Sequence, residues 1–386
     1  MTTTRRVDGY PPVAVSAGQG FSGLGENGAN QFDVLRFVLA SLVVLSHSFP
    51  LLHGDNAREP LARLTGGQTD LGKLAVDGFF LISGFLISRS WLRSDGPRDY
   101  LKKRALRIYP GFLVSVAFCA FVAGPLCAAG PSAYWGRFQA WKSARSAMAL
   151  QAIFPPVFEH LPFPVLNGSL WTIPYEFQCY LVVMLLGAVG FWRNRMLPTV
   201  GLCLAQGVYL YQAIVLGQGG VVVGNPWPRF AACFLAGAWF QSERGWIPRS
   251  RGLTAAALAG LAVLGVTPEW NGFAPAVPVL GGYMLFYLAS APTRRLHNWA
   301  CRGDYSYGLY LYAFPVQQLI VRHAGAGRLT PVILFATAYP AALVLALASW
   351  RFVEAPCLGR KPRATDGLPA PATPAEVTRT GCAAGG

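Results

Sequence analysis

The sequence predicts an all-α integral membrane protein of about ten transmembrane helices, with the N- and C-termini cytoplasmic. Three observations carry this reading. Of 386 residues 53% are hydrophobic and only 13% charged, a balance poorly suited to a water-exposed globular surface. The apolar residues fall into runs long enough to cross about 30 Å of hydrocarbon at about 1.5 Å per residue. The basic residues cluster between alternate runs, as the positive-inside rule requires.

The expected spans lie near 32–51, 73–91, 105–125, 172–191, 197–216, 228–242, 252–267, 275–291, 304–321 and 331–350, those at 228–242 and 252–267 being short. With the amino terminus inside, the cytoplasmic connections carry Arg93, Arg98, Lys102, Lys103, Arg104 and Arg107, then Arg193 and Arg195, then Arg244, Arg249 and Arg251. Arg294, Arg295 and Arg302 follow, and Arg351, Arg360, Lys361 and Arg363 close the series. The outward loops are poorer in basic residues. This topology accounts for the net charge of +15 without a nucleic-acid partner, because the arginines form no continuous basic face. The eight cysteines contain no CxxC pair and mostly sit in apolar segments, which predicts neither a metal site nor a disulfide framework.

The expected domain limits are a disordered tail at 1–30, a transmembrane domain at 31–357 and a second disordered tail at 358–386. The tail carries no compact apolar core with a cleavage site, so a removable signal peptide is not expected. The long loop at 126–171 places Tyr134, Trp135, Phe138, Trp141 and Met148 at near-helical spacing opposite Arg137, Lys142 and Arg145. That pattern predicts an interfacial amphipathic helix, with a re-entrant segment lining a substrate entrance as the alternative.

Ionisable side chains inside spans are costly and therefore mark functional candidates. Arg36 and His47 share the first span, and eleven residues at about 100° each return to nearly the same face, roughly 16 Å further along. The plainer reading is an arginine snorkelling to the inner interface and a histidine capping the outer end. Asp77 in the second span calls for a cationic partner, Arg36 or another, in a role that is structural on its simplest reading. Glu176, near the start of the fourth span, is either an acid favoured by the helix dipole or a group that orients His47 across the bundle. Ser83 and Gly84 are suited to close helix approach. Gly18 to Gly23 spells a dinucleotide fingerprint but follows no strand, and neither a GxSxG elbow nor a soluble-type HxxxxD motif occurs.

The run from Arg36 to His47 resembles the arginine, ten residues, histidine signature of the acyltransferase-3 family of membrane acyltransferases. Other blocks resemble that family in order: Val76-Asp77-Gly78-Phe79-Phe80-Leu81-Ile82-Ser83-Gly84, Lys103-Arg104-Ala105-Leu106-Arg107-Ile108-Tyr109-Pro110 and Ser169-Leu170-Trp171-Thr172-Ile173-Pro174-Tyr175-Glu176. Tyr305-Ser306-Tyr307-Gly308-Leu309-Tyr310-Leu311 and Phe352-Val353-Glu354-Ala355-Pro356 complete the series. One departure stands in the ninth span: Tyr312-Ala313-Phe314-Pro315 lacks the histidine that many members have before the proline.

The resemblance implies transfer of an acyl group, acetyl or another, from cytoplasmic acyl-CoA to a hydroxyl of a glycan, polysaccharide precursor or glycolipid, by a multi-pass protein of the inner (plasma) membrane. No metal is implied. His47 is the expected general base, or the residue that carries the acyl group transiently, with Glu176 as its catalytic partner. Arg36, Arg104 and Arg107 are expected to bind the donor's phosphates and Asp77 to belong to the same binding region, although any cytoplasmic loop is basic and topology alone accounts for Arg104 and Arg107. A separate extracytoplasmic protein that receives the acyl group is compatible with this scheme. The competing classes are a permease exporting a glycan or small molecule, which also places charges at mid-membrane, and an acyltransferase acting on a small hydrophobic metabolite.

Overall fold

The computed structural model describes residues 31–155, 161–217, 225–291 and 303–359, together with Gly20, Phe21 and Leu24. Most of the two expected tails, and the connection holding Arg294, Arg295 and Arg302, lie outside the described residues. The described chain is helical, its one β contact being an isolated bridge between Gly20 and Pro248.

Among the described residues six helices are long and apolar enough to cross a membrane: α1 (Phe32–His53), α2 (Leu71–Leu92), α3 (Pro97–Cys127), α4 (Leu170–Ala188), α5 (Met196–Val215) and, at the far end of the chain, Pro331–Cys357. The other four expected spans are helices as well, but shorter or more polar: α6 (Trp227–Glu243), α7 (Arg251–Val266), α8 (Phe273–Ala289) and α9 (Tyr305–Ala324). Pro331–Cys357 is then α10. Helix α9 carries Tyr310, Tyr312, Gln317 and Gln318, and all four are buried. A helix enclosed by its neighbours does not need an apolar surface, and for that reason hydropathy marks it weakly.

Local chemistry sets the helix starts. The Asp70 carboxylate accepts from Lys73 N at 2.7 Å to cap α2, Pro97 sits in the first turn of α3, and Thr330 with Pro331 opens α10. Helix α1 stops at Gly54, whose φ of 86° is a left-handed conformation that glycine adopts at little cost.

Small residues set the packing. In α2 and α6 the backbones touch: a Cβ on Gly84 would lie 1.9 Å from Phe234 O, and one on Gly237 would lie 2.0 Å from Leu81 O. Ala40 and Val44 of α1 pack into a small-residue seam with Leu309 and Ala313 of α9 and Ala342 and Ala346 of α10. The outward surface is apolar, with Leu185, Leu204, Val263 and Val344 all more than half exposed, as lipid-facing positions require. Pro315 deprives the Leu311 carbonyl of its helical donor, and Asn167 Nδ2 at 2.9 Å and Ser115 Oγ at 3.3 Å supply replacements.

One expectation needs correction. The amphipathic helix of the long loop is two short helices, Pro131–Arg137 and Ala140–Met148, broken at Phe138 and Gln139. Tyr134 turns inward and donates to Ala120 O at 2.9 Å, whereas Trp141 and Met148 stand outward and the second helix packs through Ser143, Ser146 and Ala147. Of the expected amino-terminal tail, Phe21 and Leu24 are described; both are buried in the main core, and Phe21 N donates to Arg244 O at 2.9 Å.

The glycine contact between α2 and α6 yields a prediction. Gly237→Ala forces the backbones apart, and overpacking of this kind costs about 1–3 kcal/mol. Thermal unfolding in detergent should therefore show a clear loss of stability for Gly237→Ala. Gly207→Ala, whose Cβ would meet nothing within 4 Å, should unfold like the parent protein.

Candidate active site

A cleft of about 610 Å³, counting its open mouth, lies between α1, α2, α3, α4 and α9. Its charged floor comes from three distant stretches of sequence. Arg36 Nη1 of α1 donates to Asp304 Oδ2 at 3.1 Å, and Arg107 Nη2 of α3 donates to the same oxygen. Asp304 is the N-cap of α9, and its other oxygen accepts from the backbone and hydroxyl of Ser306. Arg107 Nη1 also stands 3.5 Å from Glu354 Oε2, an ion pair without a hydrogen bond, and its guanidinium lies 5.3 Å from the centre of the Tyr307 ring.

The opposite wall is carboxylate and hydroxyl. Glu176 Oε1 accepts from Ser83 Oγ at 3.1 Å and from Tyr180 OH, while the hydroxyls of Thr172 and Tyr310 meet at 2.6 Å. Phe79, Phe80 and Ile173 supply apolar surface between the two walls. The cleft thus joins anion-binding guanidinium groups to hydroxyl and carboxylate groups inside a largely apolar bundle.

His47 stands apart. It is not among the cleft-lining residues; its ring packs edge-on against Phe314 with centroids 5.0 Å apart, and its buried Nδ1 has no hydrogen-bond partner among the described residues. The backbone around it is clamped from α9. Gln317 Nε2 donates to Val44 O at 2.9 Å and to Ser48 Oγ at 2.8 Å, one on each side of His47 along α1. Helix α1 therefore carries a guanidinium in the cleft and an unsatisfied imidazole eleven residues on, roughly 16 Å away along its axis.

Of the residues singled out in the sequence, the structure brings Arg36, Arg107 and Glu176 to one cleft. The expected contact of Glu176 with His47 is not formed, because Tyr180, one turn on along the same helix, and Ser83 of α2 take its carboxylate. Asp77 does find a cation, and it is Arg229 of α6, whose Nε donates to Asp77 Oδ1 at 2.7 Å while Nη2 donates to Lys73 O at 2.6 Å. That pair is buried between α2 and α6, and Asp77 does not line the cleft. Arg104 is half-buried, pairs with no carboxylate among the described residues and lies outside the cleft lining. Gly84 permits the close helix approach, whereas Ser83 serves Glu176. Sequence reasoning gave no role to Asp304, Glu354 or Arg229, although the rule that singled out Arg36 applies equally to the charges at 229 and 304; Glu354 lies beyond the expected span at 331–350 and appears only within a motif block. No group of three His, Cys, Asp or Glu side chains among the described residues is placed to hold a metal ion.

An all-helical bundle with apolar outward faces and an internal polar cleft is a multi-pass membrane protein. The chain belongs to the acyltransferase-3 family, whose sequence model, an acyltransferase domain, matches residues 30–351; the protein is an acyltransferase. It is 29% identical over 329 residues to an O-acetyl transferase of Shigella phage Sf6, covering 84% of this chain and 95% of that one. It is 26% identical to nodulation protein 10 of Rhizobium leguminosarum bv. viciae, over 85% of this chain and 93% of the relative. Against the exopolysaccharide production protein ExoZ of Rhizobium meliloti (strain 1021) the identity is 28%, over 80% and 96%. No solved structure matches the chain.

The buried Asp77–Arg229 pair gives a stability prediction distinct from catalysis. Removing one partner strands the other charge, which costs about 3–5 kcal/mol, whereas an apolar pair of similar volume is often nearly neutral. Asp77→Leu and Arg229→Leu should each lower the unfolding temperature in detergent sharply. The double variant should recover most of the loss.

Proposed function

We propose that this acyltransferase moves an acetyl group from acetyl-CoA to a hydroxyl of a glycan, polysaccharide precursor or glycolipid at the plasma membrane. The observation that carries the reading is the pairing of Arg36 and Arg107 in one cleft, with His47 further along the helix that bears Arg36. Guanidinium forks suit the phosphates of coenzyme A, which holds its thioester at the end of a long flexible arm. That arm accounts for the separation of the arginines from His47: phosphates at the cleft, thioester directed along α1. The orientation expected from the basic connections puts the Arg36 end of α1 on the cytoplasmic side, where acyl-CoA is available.

In this reading the acceptor hydroxyl gives its proton to the neutral imidazole of His47 as its oxygen attacks the thioester carbonyl. The tetrahedral intermediate collapses with cleavage of the carbon–sulfur bond, and the departing thiolate takes up the proton. Atoms balance as ester plus coenzyme A thiol. The buried Nδ1 of His47, with no protein partner, leaves a ring nitrogen available to a ligand. Glu176, held by Ser83 and Tyr180, acts within the cleft, not on His47. Similarity to the phage O-acetyl transferase and to the exopolysaccharide production protein favours acetyl as the acyl group and a carbohydrate as the acceptor.

The test is transfer of labelled acetyl from acetyl-CoA in inverted membrane vesicles supplied with native glycolipids. His47→Ala should lower transfer to the level of empty membranes while the protein stays folded, and Arg36→Ala should chiefly raise the donor concentration needed for half-maximal rate. Full transfer by His47→Ala would remove the assigned base. A wild-type signal equal to that of empty membranes, with a range of acyl donors and acceptors, would remove the reaction.

A further inference from the structure

The two guanidinium groups assigned to the donor already have an anion between them. Arg36 and Arg107 both donate to Asp304 Oδ2, and Glu354 lies against the other terminal nitrogen of Arg107. Guanidinium groups stay protonated in proteins, so this quartet holds two fixed positive charges against two carboxylates. A phosphate entering a quartet that is already neutralised meets little net attraction. It meets two cations only where Asp304 withdraws from them.

We propose that Asp304 is a built-in stand-in for a phosphate group of the donor: its Oδ2 occupies the phosphate position between Arg36 and Arg107, and an anionic ligand binds by displacing it. The proposal rests on the reading of the cleft as the donor site and adds a residue that sets the strength of anion binding there. Several features fit. Guanidinium groups take carboxylate and phosphate oxygens through the same charge-assisted hydrogen bonds, so Oδ2 occupies a place that a phosphate oxygen suits. Asp304 closes Arg36 on one terminal nitrogen only, and Arg36 Nε remains buried without a partner, so the arginine retains unused donor capacity. The other oxygen of Asp304 is anchored independently by Ser306, so Oδ2 can leave the arginines while the carboxylate continues to cap α9. Ser306 and both arginines line the cleft, which puts the exchange at its wall.

The exchange has a sign that a purely structural ion pair lacks. A structural Asp304 would fix the arginines for the ligand, and its neutralisation would weaken anion binding. A stand-in competes with the ligand, and its neutralisation strengthens binding. Asp304→Asn and Asp304→Ser both keep an N-cap side chain, so α9 retains its start while the charge is lost.

The experiment measures binding of inorganic pyrophosphate, coenzyme A and phosphate-free pantetheine to the full-length protein in lipid nanodiscs by calorimetry. For Asp304→Asn, pyrophosphate and coenzyme A should each bind about tenfold more tightly than to the parent protein, the scale expected when a competing like charge leaves an anion site. Pantetheine affinity should not change. Asp304→Ser serves the same test if the asparagine variant does not fold. Unchanged or weaker pyrophosphate binding in the neutral variants would overturn the proposal. Tighter pyrophosphate binding with no binding of coenzyme A to any form would uphold the stand-in and overturn the donor reading. Coenzyme A binding with no gain in the variants would overturn the stand-in alone.

Discussion

Two guanidinium groups that share one carboxylate oxygen hold one end of the helical bundle together. Arg36, Arg107 and Asp304 come from α1, α3 and the start of α9, and burying any of these charges with no counter-charge is costly in an apolar bundle. Their meeting fixes where α9 begins relative to α1 and α3, and the cleft opens beside the junction. Glu354 extends the network to the end of α10, so four helices converge on one cluster of charge. Charge buried in an apolar setting thereby acts as a register device: only one relative placement of these helices pairs every group.

Helix α9 transmits that register to the other end of α1. Its Asp304 end meets Arg36, and its Gln317 grips the backbone and hydroxyl groups on either side of His47. Phe314, one residue before Pro315, packs on the His47 ring. Pro315 frees the Leu311 carbonyl, which Asn167 uses to tie the chain leading into α4, and α4 carries Glu176 back to the cleft. The cleft and the imidazole are thus positioned by the same helix, although they lie roughly 16 Å apart along α1.

Much of this arrangement is legible in the sequence where the signal is local. Apolar runs mark the helices, and the eleven-residue interval sets Arg36 and His47 on one face of α1. The ordered motif blocks carry the family, which the match over residues 30–351 establishes. Partner choice is not legible, because hydropathy contains no information on which of several buried charges will meet. Asp77 takes Arg229, 152 residues away, and Arg36 takes Asp304, 268 residues away. Glu176 is a different case: Tyr180 stands four residues on, at the spacing that makes helical neighbours, so that contact was readable and the expected one to His47 was not needed. In the long loop the pattern of aromatic residues is real, but Tyr134 and Trp141 face opposite environments once the chain breaks at Phe138.

In the proposed reaction the donor lies along α1 with its phosphates at Arg36 and Arg107 and its sulfur toward His47. An experimental structure of the full-length protein in lipid with coenzyme A bound tests this most directly. The account predicts phosphate oxygens within hydrogen-bond distance of both guanidinium groups, Asp304 turned away from them, and the thiol on the His47 side of Phe79. Phosphates bound elsewhere, or an arm directed away from His47, would contradict it.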